Sequence, residues 1–320
     1  MGMIKKTLIF LLFSTLNIYN LSAQVHNTFK VLPLGIKGGL DESNLSGYMI
    51  APVLSNNFIC ADAGTLRYGI NKAIGNKLFT SSADEVLENN IKGYLVSHAH
   101  LDHIAGMIMN SPNDSPKNIY AISSVIEVLK TKYFTWPAWA NFANEGEAPA
   151  LKKYTYIYLK EKQERILDGT EMTVVPFILS HGNPYQSTAF LIHANDNYLL
   201  YLGDTGADSI EKSGQLKKLW QEIRPLVIAG RLKAIFIETS YPNQQADNQL
   251  FGHLTPRLLM QEMENLSRLT GKTALQKVPV VITHMKAFGK EEPSLIREIK
   301  ESNSLGLQLV FPEQGSMLEF

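Results

Sequence analysis

Six consecutive residues, His98-Ala99-His100-Leu101-Asp102-His103, put three imidazoles and a carboxylate into one short loop. The loop follows Ile91-Lys92-Gly93-Tyr94-Leu95-Val96-Ser97, an apolar run that reads as a buried strand. A fold that accepts this loop must leave a strand end open and let other polar residues meet it there. Imidazole nitrogen and carboxylate oxygen are the ligands a catalytic zinc ion takes. With 8 histidines in 320 residues, three in one loop mark a metal site rather than a solvated turn.

The same pattern recurs downstream. The apolar runs 172–179, 198–202, 234–237 and 278–282 end in Ser180-His181, Gly203-Asp204, Glu238 and Thr283-His284. If the five strands lie side by side, these polar ends converge on one rim, where α/β proteins gather their ligands. The runs 29–34, 48–53 and 58–62 open the chain as an antiparallel meander. Helical patterns fall between the strands, at about 82–90, 104–109, 124–132, 216–224, 256–269 and 294–301. Thr255 stands as N-cap to a helix begun by Pro256. Strands and helices interspersed in this way imply sheets covered by helices.

The first residues, Met1-Gly2-Met3-Ile4-Lys5-Lys6, are basic, 7–13 are apolar, and Ser22-Ala23 precede Gln24. That is the form of a secretory signal peptide over 1–23. Ser14, Asn17 and Asn20 interrupt the apolar stretch, so it suits cleavage better than spanning. The expectation is an exported protein, with one domain over 24–320 and no stable membrane insertion after cleavage. Cys60 is the only cysteine, which rules out an intramolecular disulfide, and its apolar neighbours suit a buried strand position. A periplasmic location fits an exported chain without disulfides. Acidic and basic residues balance at 30 each, which argues against a nucleic-acid polymer as partner.

The string from His98 to Pro112, with Glu238-Thr239-Ser240-Tyr241, Gly252-His253-Leu254-Thr255 and Ile282-Thr283-His284-Met285-Lys286, resembles the class II cyclic-nucleotide phosphodiesterases of the metallo-β-lactamase superfamily. The resemblance implies an α/β fold, an αββα sandwich of two mixed sheets flanked by helices. It implies two zinc ions, one held by His98, His100 and His181 and the other by Asp102, His103 and His284, with Asp204 bridging. Other divalent metals are compatible with these ligands. Lactam-cleaving members with cysteine at the bridging place differ from this chain, whose Cys60 lies far upstream.

The implied substrate is a small molecule, cyclic AMP or cyclic GMP, opened to the nucleoside 5′-monophosphate by metal-activated hydroxide attacking phosphorus. A lactonase, a thioesterase of glyoxalase II type or another phosphodiesterase is the alternative within the superfamily. The 3′ alkoxide is a poor leaving group and needs a proton. His253, oriented by Glu238, is the candidate donor; alternatively Glu238 caps a strand and His253 packs in its loop. Lys286 is placed either to bind a phosphate oxygen or to stand as a solvated lysine. Asp62, in Asp62-Ala63-Gly64, resembles an aspartate that orients a metal-binding histidine, and it also suits a turn. The region of about 113–170 reads as an insertion with an aromatic segment, 133–142. Its Trp136, Trp139 and Asn141 suit a wall or lid for the nucleobase, and the segment equally suits a homodimer interface.

Overall fold

Alternate residues of the downstream strands enter two different cores, and this sets the layers. In the strand Leu232–Glu238, Ala234 and Phe236 face one apolar core while Ile235 and Ile237 face another. Side chains of a strand point alternately to its two faces, so an unbroken apolar run means a strand covered on both sides. The neighbouring strand behaves alike, with Leu199 and Tyr201 on one side and Leu200 and Leu202 on the other.

The computed structural model describes Gly2, residues 27–287 and residues 289–320. Apart from Gly2, the expected leader lies outside the described residues. No helix among the described residues is long and apolar enough to cross a membrane.

The first sheet contains β1 (Phe29–Gly35), β2 (Gly47–Pro52), β3 (Phe58–Ala61), β4 (Ile91–Leu95), β5 (Lys117–Ile122) and β6 (Tyr154–Leu159). The second contains β7 (Arg165–Leu167), β8 (Met172–Ser180), β9 (Gln186–Ala194), β10 (Asn197–Leu202), β11 (Leu232–Glu238), β12 (Val280–Thr283) and β13 (Leu309–Val310). The last strand, β14 (Leu318–Glu319), pairs with β1, giving the orders β14-β1-β2-β3-β4-β5-β6 and β13-β12-β11-β10-β9-β8-β7. Each sheet is mixed. The expected meander β1-β2-β3 is antiparallel and β3 to β6 run parallel. In the second sheet β7 to β10 alternate in direction while β10 to β13 run parallel.

The helices Arg67–Gly75, Ala83–Asn89 and Leu101–Asn110 pack their apolar faces into the core of the first sheet. Gln215–Ile228, Pro256–Thr270 and Glu291–Glu301 cover the outer face of the second. Local chemistry starts two of them: Ser82 and Glu85 form a reciprocal capping box, and the Thr255 hydroxyl accepts from the Leu258 amide before Pro256. The sandwich expected from the sequence is present. Its strands are distributed differently. Of the five polar-ended strands, β4 lies in the first sheet, whereas β8, β10, β11 and β12 lie in the second. The polar ends therefore meet across the gap between two sheets and not along one rim. The region 113–170 is also more than an appendage, because it supplies β5 and β6 to the first sheet and β7 to the edge of the second.

Candidate metal centre and active site

Each half of the centre starts from a strand end. The chain leaves β4 through Ser97 and reaches His98 and His100 before the helix Leu101–Asn110, for which His100 is the N-cap residue. Asp102 and His103 therefore project from the first helical turn. From the second sheet, β8 delivers His181, β10 delivers Asp204, β11 ends in Glu238 and β12 delivers His284. His284 has φ of 55°, a left-handed conformation uncommon for a residue with a side chain and concentrated at functional positions.

The hydrogen-bond network assigns the imidazole protons. Ser97 donates its hydroxyl to Asp62 at 2.8 Å, so His98 Nδ1 donates to Ser97 Oγ at 3.1 Å. His103 Nδ1 donates to Asp62 Oδ2 at 2.8 Å, and His181 Nδ1 to the Gly252 carbonyl at 2.9 Å. The Ser240 hydroxyl donates to Glu238, leaving its oxygen to accept from His284 Nδ1 at 3.0 Å. Four rings thus have Nδ1 engaged by partners behind them and turn Nε2 inward, that of His284 lying 3.1 Å from Asp102 Oδ2. His100 presents Nδ1 instead, 3.0 Å from His98 Nε2 and 3.4 Å from His181 Nε2.

The inward atoms form five overlapping groups, among them the two expected sets and two that include His253, with His181 and Asp204 or with Glu238 and His284. His98, His100 and His181 have ligand atoms within 4.8 Å of one another, as do Asp102, His103 and His284. Asp204 lies between them, its Oδ2 3.8 Å from His98 Nε2, 3.9 Å from His181 Nε2, 3.3 Å from His103 Nε2 and 3.2 Å from His284 Nε2. Buried lone pairs crowded together in this way repel unless a proton or a metal cation stands among them. Two of these atoms, His103 Nε2 and Asp204 Oδ2, are buried with no well-formed hydrogen bond, a costly state that a metal ion relieves. The residues therefore fit divalent metal binding.

The electrostatics keep three of the rings neutral and favour a proton on a fourth, His103. Burial pushes the pKa of His98 well down, helped by His103, and lowers that of His181. Burial, with His181 and His103, lowers His100 to about 4. These rings are neutral near pH 7 and their lone pairs are available. Burial opposes ionisation of Asp204, but the adjoining His284 and His103 rings outweigh it and hold the carboxyl well below its usual range. Asp102 is lowered in the same way, burial being overcome by His103 and His284. Burial would lower His103 too, but Asp204, Asp62 and Asp102 together raise it well above the ordinary value.

Asp62 shapes a turn and holds the His103 ring. Its φ of 53° shapes the turn, and its carboxylate accepts from the Ser97 amide at 2.8 Å, Ser97 Oγ, His103 Nδ1 and, at 2.7 Å, the Tyr201 hydroxyl. Gly64 lets this turn lie against the helix behind it, since a Cβ there would stand 2.0 Å from the Asp102 carbonyl oxygen.

Glu238 Oε1 is 2.8 Å from His253 Nδ1. That bond commits the ring nitrogen nearer Asp204 and leaves Nε2 pointing outward, 2.9 Å from Lys286 Nζ. Burial lowers the His253 pKa, but the charge and hydrogen bond of Glu238, with Asp204, raise it above the ordinary value. Glu238 also accepts from the backbone amides of Thr205 and Leu254, at 2.9 and 3.2 Å. One carboxylate thus ties together the loops after β10 and β11.

The structure does not bring Trp136, Trp139 or Asn141 to this cluster. Asn141 is buried and spends its amide within its own loop, donating to the Glu145 and Glu147 carbonyls and accepting from the Ala143 amide. Trp139 donates to Ser111, at the opposite end of the helix Leu101–Asn110 from His100. Ten helical residues separate those ends by about 15 Å. Trp136 donates to the Pro149 carbonyl within the same loop.

Gly38 and Gly39 are contributors that the sequence did not single out. The Gly39 amide donates to Asp102 Oδ2 at 2.9 Å, and the His284 amide donates to the Ile36 carbonyl at 2.9 Å. A Cβ on Gly38 would lie 2.2 Å from His284 Cε1. Gly38→Ala is therefore expected to displace the ring, lower metal content and cut turnover by roughly 100-fold, on the scale of disturbed metal-ligand support. Metal analysis of the purified variant checks this, and full occupancy with undiminished turnover would contradict it.

Comparison with known proteins agrees with this geometry. The family described as cAMP phosphodiesterases class-II matches residues 27–315. A 3′,5′-cyclic-nucleotide phosphodiesterase of Aliivibrio fischeri is 38% identical, the alignment covering 97% of this chain and 98% of that protein. A probable 3′,5′-cyclic-nucleotide phosphodiesterase of Yersinia pestis is 36% identical over 91% of this chain and 89% of its own. Among solved structures, unliganded yeast PDE1 superposes with a TM-score of 0.82 at 22% identity, covering 92% of this chain and all of that one. YhfI of Bacillus subtilis, a metallo-β-lactamase fold protein, gives 0.60 at 18% identity, with 92% of this chain and all of its own covered. The sandwich is thus the metallo-β-lactamase fold, and the chain belongs to the class II cyclic-nucleotide phosphodiesterase family.

Proposed function

We propose that this protein is an exported hydrolase that opens 3′,5′-cyclic nucleotides, cyclic AMP and cyclic GMP, to nucleoside 5′-monophosphates with two zinc ions. Family membership supports the reaction. The observation that carries the metal requirement is Asp204 Oδ2, set among four inward-facing imidazoles without a well-formed hydrogen bond of its own. His98, His100 and His181 would hold one ion and Asp102, His103 and His284 the other, with Asp204 shared. When bound, such a pair neutralises phosphate oxygens and lowers the pKa of a water at the site. The leader-like residues 1–23 support export to the periplasm.

The protein's own groups do the rest. The inward nitrogens and carboxylates concentrate negative potential where cations bind, and Lys286 offers an ammonium to a phosphate oxygen. Without substrate that ammonium donates to His253 Nε2. A phosphate drawing it away frees the ring to carry a proton on Nε2, a state Glu238 favours from behind. As a water oxygen bonds to phosphorus, its proton passing to solvent, and the P–O3′ bond breaks, His253 Nε2–H donates to the departing 3′ oxygen, and solvent returns the ring's proton after product leaves.

Assay of the metal-loaded protein against cyclic AMP, cyclic GMP, a β-lactam and a thioester tests the reaction. Cyclic-nucleotide turnover to the 5′-monophosphate is expected; brisk thioester cleavage with none would sink the proposal. His253→Ala should slow cyclic AMP hydrolysis by about 10²–10³-fold, the usual worth of a positioned acid. An activated nitrophenyl diester, whose leaving group needs no proton, should lose far less. Equal slowing of both substrates would remove His253 from the proton-donor role.

A further inference from the structure

A cavity of about 360 Å³ opens beside His98, His100 and His181, on one flank of the cluster. Tyr133 and Tyr185 stand in its wall, with Val125 and Val128. Both tyrosines are held by the metal centre's own loops. Tyr133 ends a five-residue π-helical turn, Leu129–Tyr133, a distortion frequent at functional sites. Its hydroxyl donates to the Ala99 carbonyl at 3.0 Å, which fixes the ring against the histidine loop. The Tyr185 carbonyl accepts from the His181 amide at 3.1 Å, and the Tyr185 amide donates to the Gly182 carbonyl at 3.1 Å. The residue is nonetheless 71% exposed. An aromatic ring pinned by its backbone to a ligand histidine but left bare to solvent has its apolar face free for a guest.

The cavity on the opposite flank, about 730 Å³ and reached past Ser240 and Lys286, has a different character. Charged side chains, Glu291, Glu298, Glu301, Lys290 and Arg297, line much of it, and its aromatic ring, Tyr241, is already engaged, edge-on to His253 and with Lys286 Nζ 5.5 Å over its face. The cyclic phosphate of the substrate belongs at the cluster, so its base must lie on one flank or the other. We propose that Tyr133 and Tyr185 form the nucleobase clamp, stacking the purine of the cyclic nucleotide beside His98, His100 and His181. This rests on the cyclic-nucleotide reading of the centre and assigns its specificity residues. It also gives the base-stacking task to Tyr133, within the aromatic segment, and to Tyr185 outside it.

Inhibition by 5′-AMP and by ribose 5-phosphate separates the base from the sugar phosphate. Stacking on an aromatic side chain contributes roughly tenfold or more per base. Wild type should bind 5′-AMP more tightly than ribose 5-phosphate. Tyr185→Ala should raise the inhibition constant of 5′-AMP about tenfold and that of ribose 5-phosphate less than twofold, with the loss on cyclic AMP falling mainly in KM. Tyr185→Phe should restore both. Parallel weakening of the two inhibitors, or no change in either, overturns the clamp. A wild type that hydrolyses cyclic AMP yet binds the two inhibitors equally also overturns it while leaving the activity standing. A wild type inactive on cyclic nucleotides sinks the activity reading and the clamp with it.

Discussion

Asp204→Ala is expected to lower kcat/KM for cyclic AMP by at least about 10³-fold, the scale of removing a central electrostatic element from a catalytic site. Its Oδ2 reaches imidazoles of both presumptive ligand sets, at 3.2 Å from His284 Nε2 and 3.8 Å from His98 Nε2. Taking away the carboxylate leaves those nitrogens facing one another with no anion among them, so the metal content of the purified protein should fall together with turnover. Asp204→Asn keeps the volume and removes the charge. It should stay severely impaired, which separates electrostatics from packing. Full metal occupancy with turnover within tenfold of wild type in either variant would refute the bridging role.

The second large effect belongs to Asp62→Ala, and it is an effect on stability. The buried carboxylate accepts four hydrogen bonds, from the Ser97 amide and hydroxyl, His103 Nδ1 and the Tyr201 hydroxyl. Alanine leaves four donors buried without an acceptor, at about 1–3 kcal/mol each before relaxation. A net loss of about 4 kcal/mol, or roughly 5–10 °C in Tm for a chain of this size, is the expected result by calorimetry. Metal affinity should weaken by about 10–100-fold, because the His103 ring loses the partner that orients it. Asp62→Asn retains an acceptor and tolerates the left-handed backbone, so its loss should be smaller. An alanine variant melting within 1–2 °C of wild type, on the same scale, would show that the network carries little.

What the sequence makes legible is whatever depends on near neighbours. An apolar run followed by His, Asp or Glu is visible in a window of ten residues, and five such windows locate β4, β8, β10, β11 and β12 with the side chains at their ends. The capped helix at Pro256 is legible for the same reason. The division of those strands between two sheets is not, because β4 and β8 present similar patterns and only pairing partners distinguish them. The Tyr201–Asp62 bond joins residues 139 positions apart and leaves no local trace. The tightness of Gly38 against His284 is likewise tertiary. Aromatic content says what a segment can stack on but not which end of a helix it covers. Trp139 is bound to the end opposite the metal centre, and Tyr185, in a turn with little aromatic context, stands beside it.

The division of ligands between the sheets has a consequence for how the protein comes to exist. His98, His100, Asp102 and His103 belong to the first half of the chain, and His181, Asp204 and His284 to the second. Neither half can assemble a complete set for either ion, so tight binding waits until both sheets have formed and docked. On the proposed ligand assignment, metal uptake would work as a checkpoint on maturation, because a nascent or clipped molecule would lack part of each set. Ions seated there would cross-link two layers in a chain whose single cysteine, Cys60, allows no disulfide to join them.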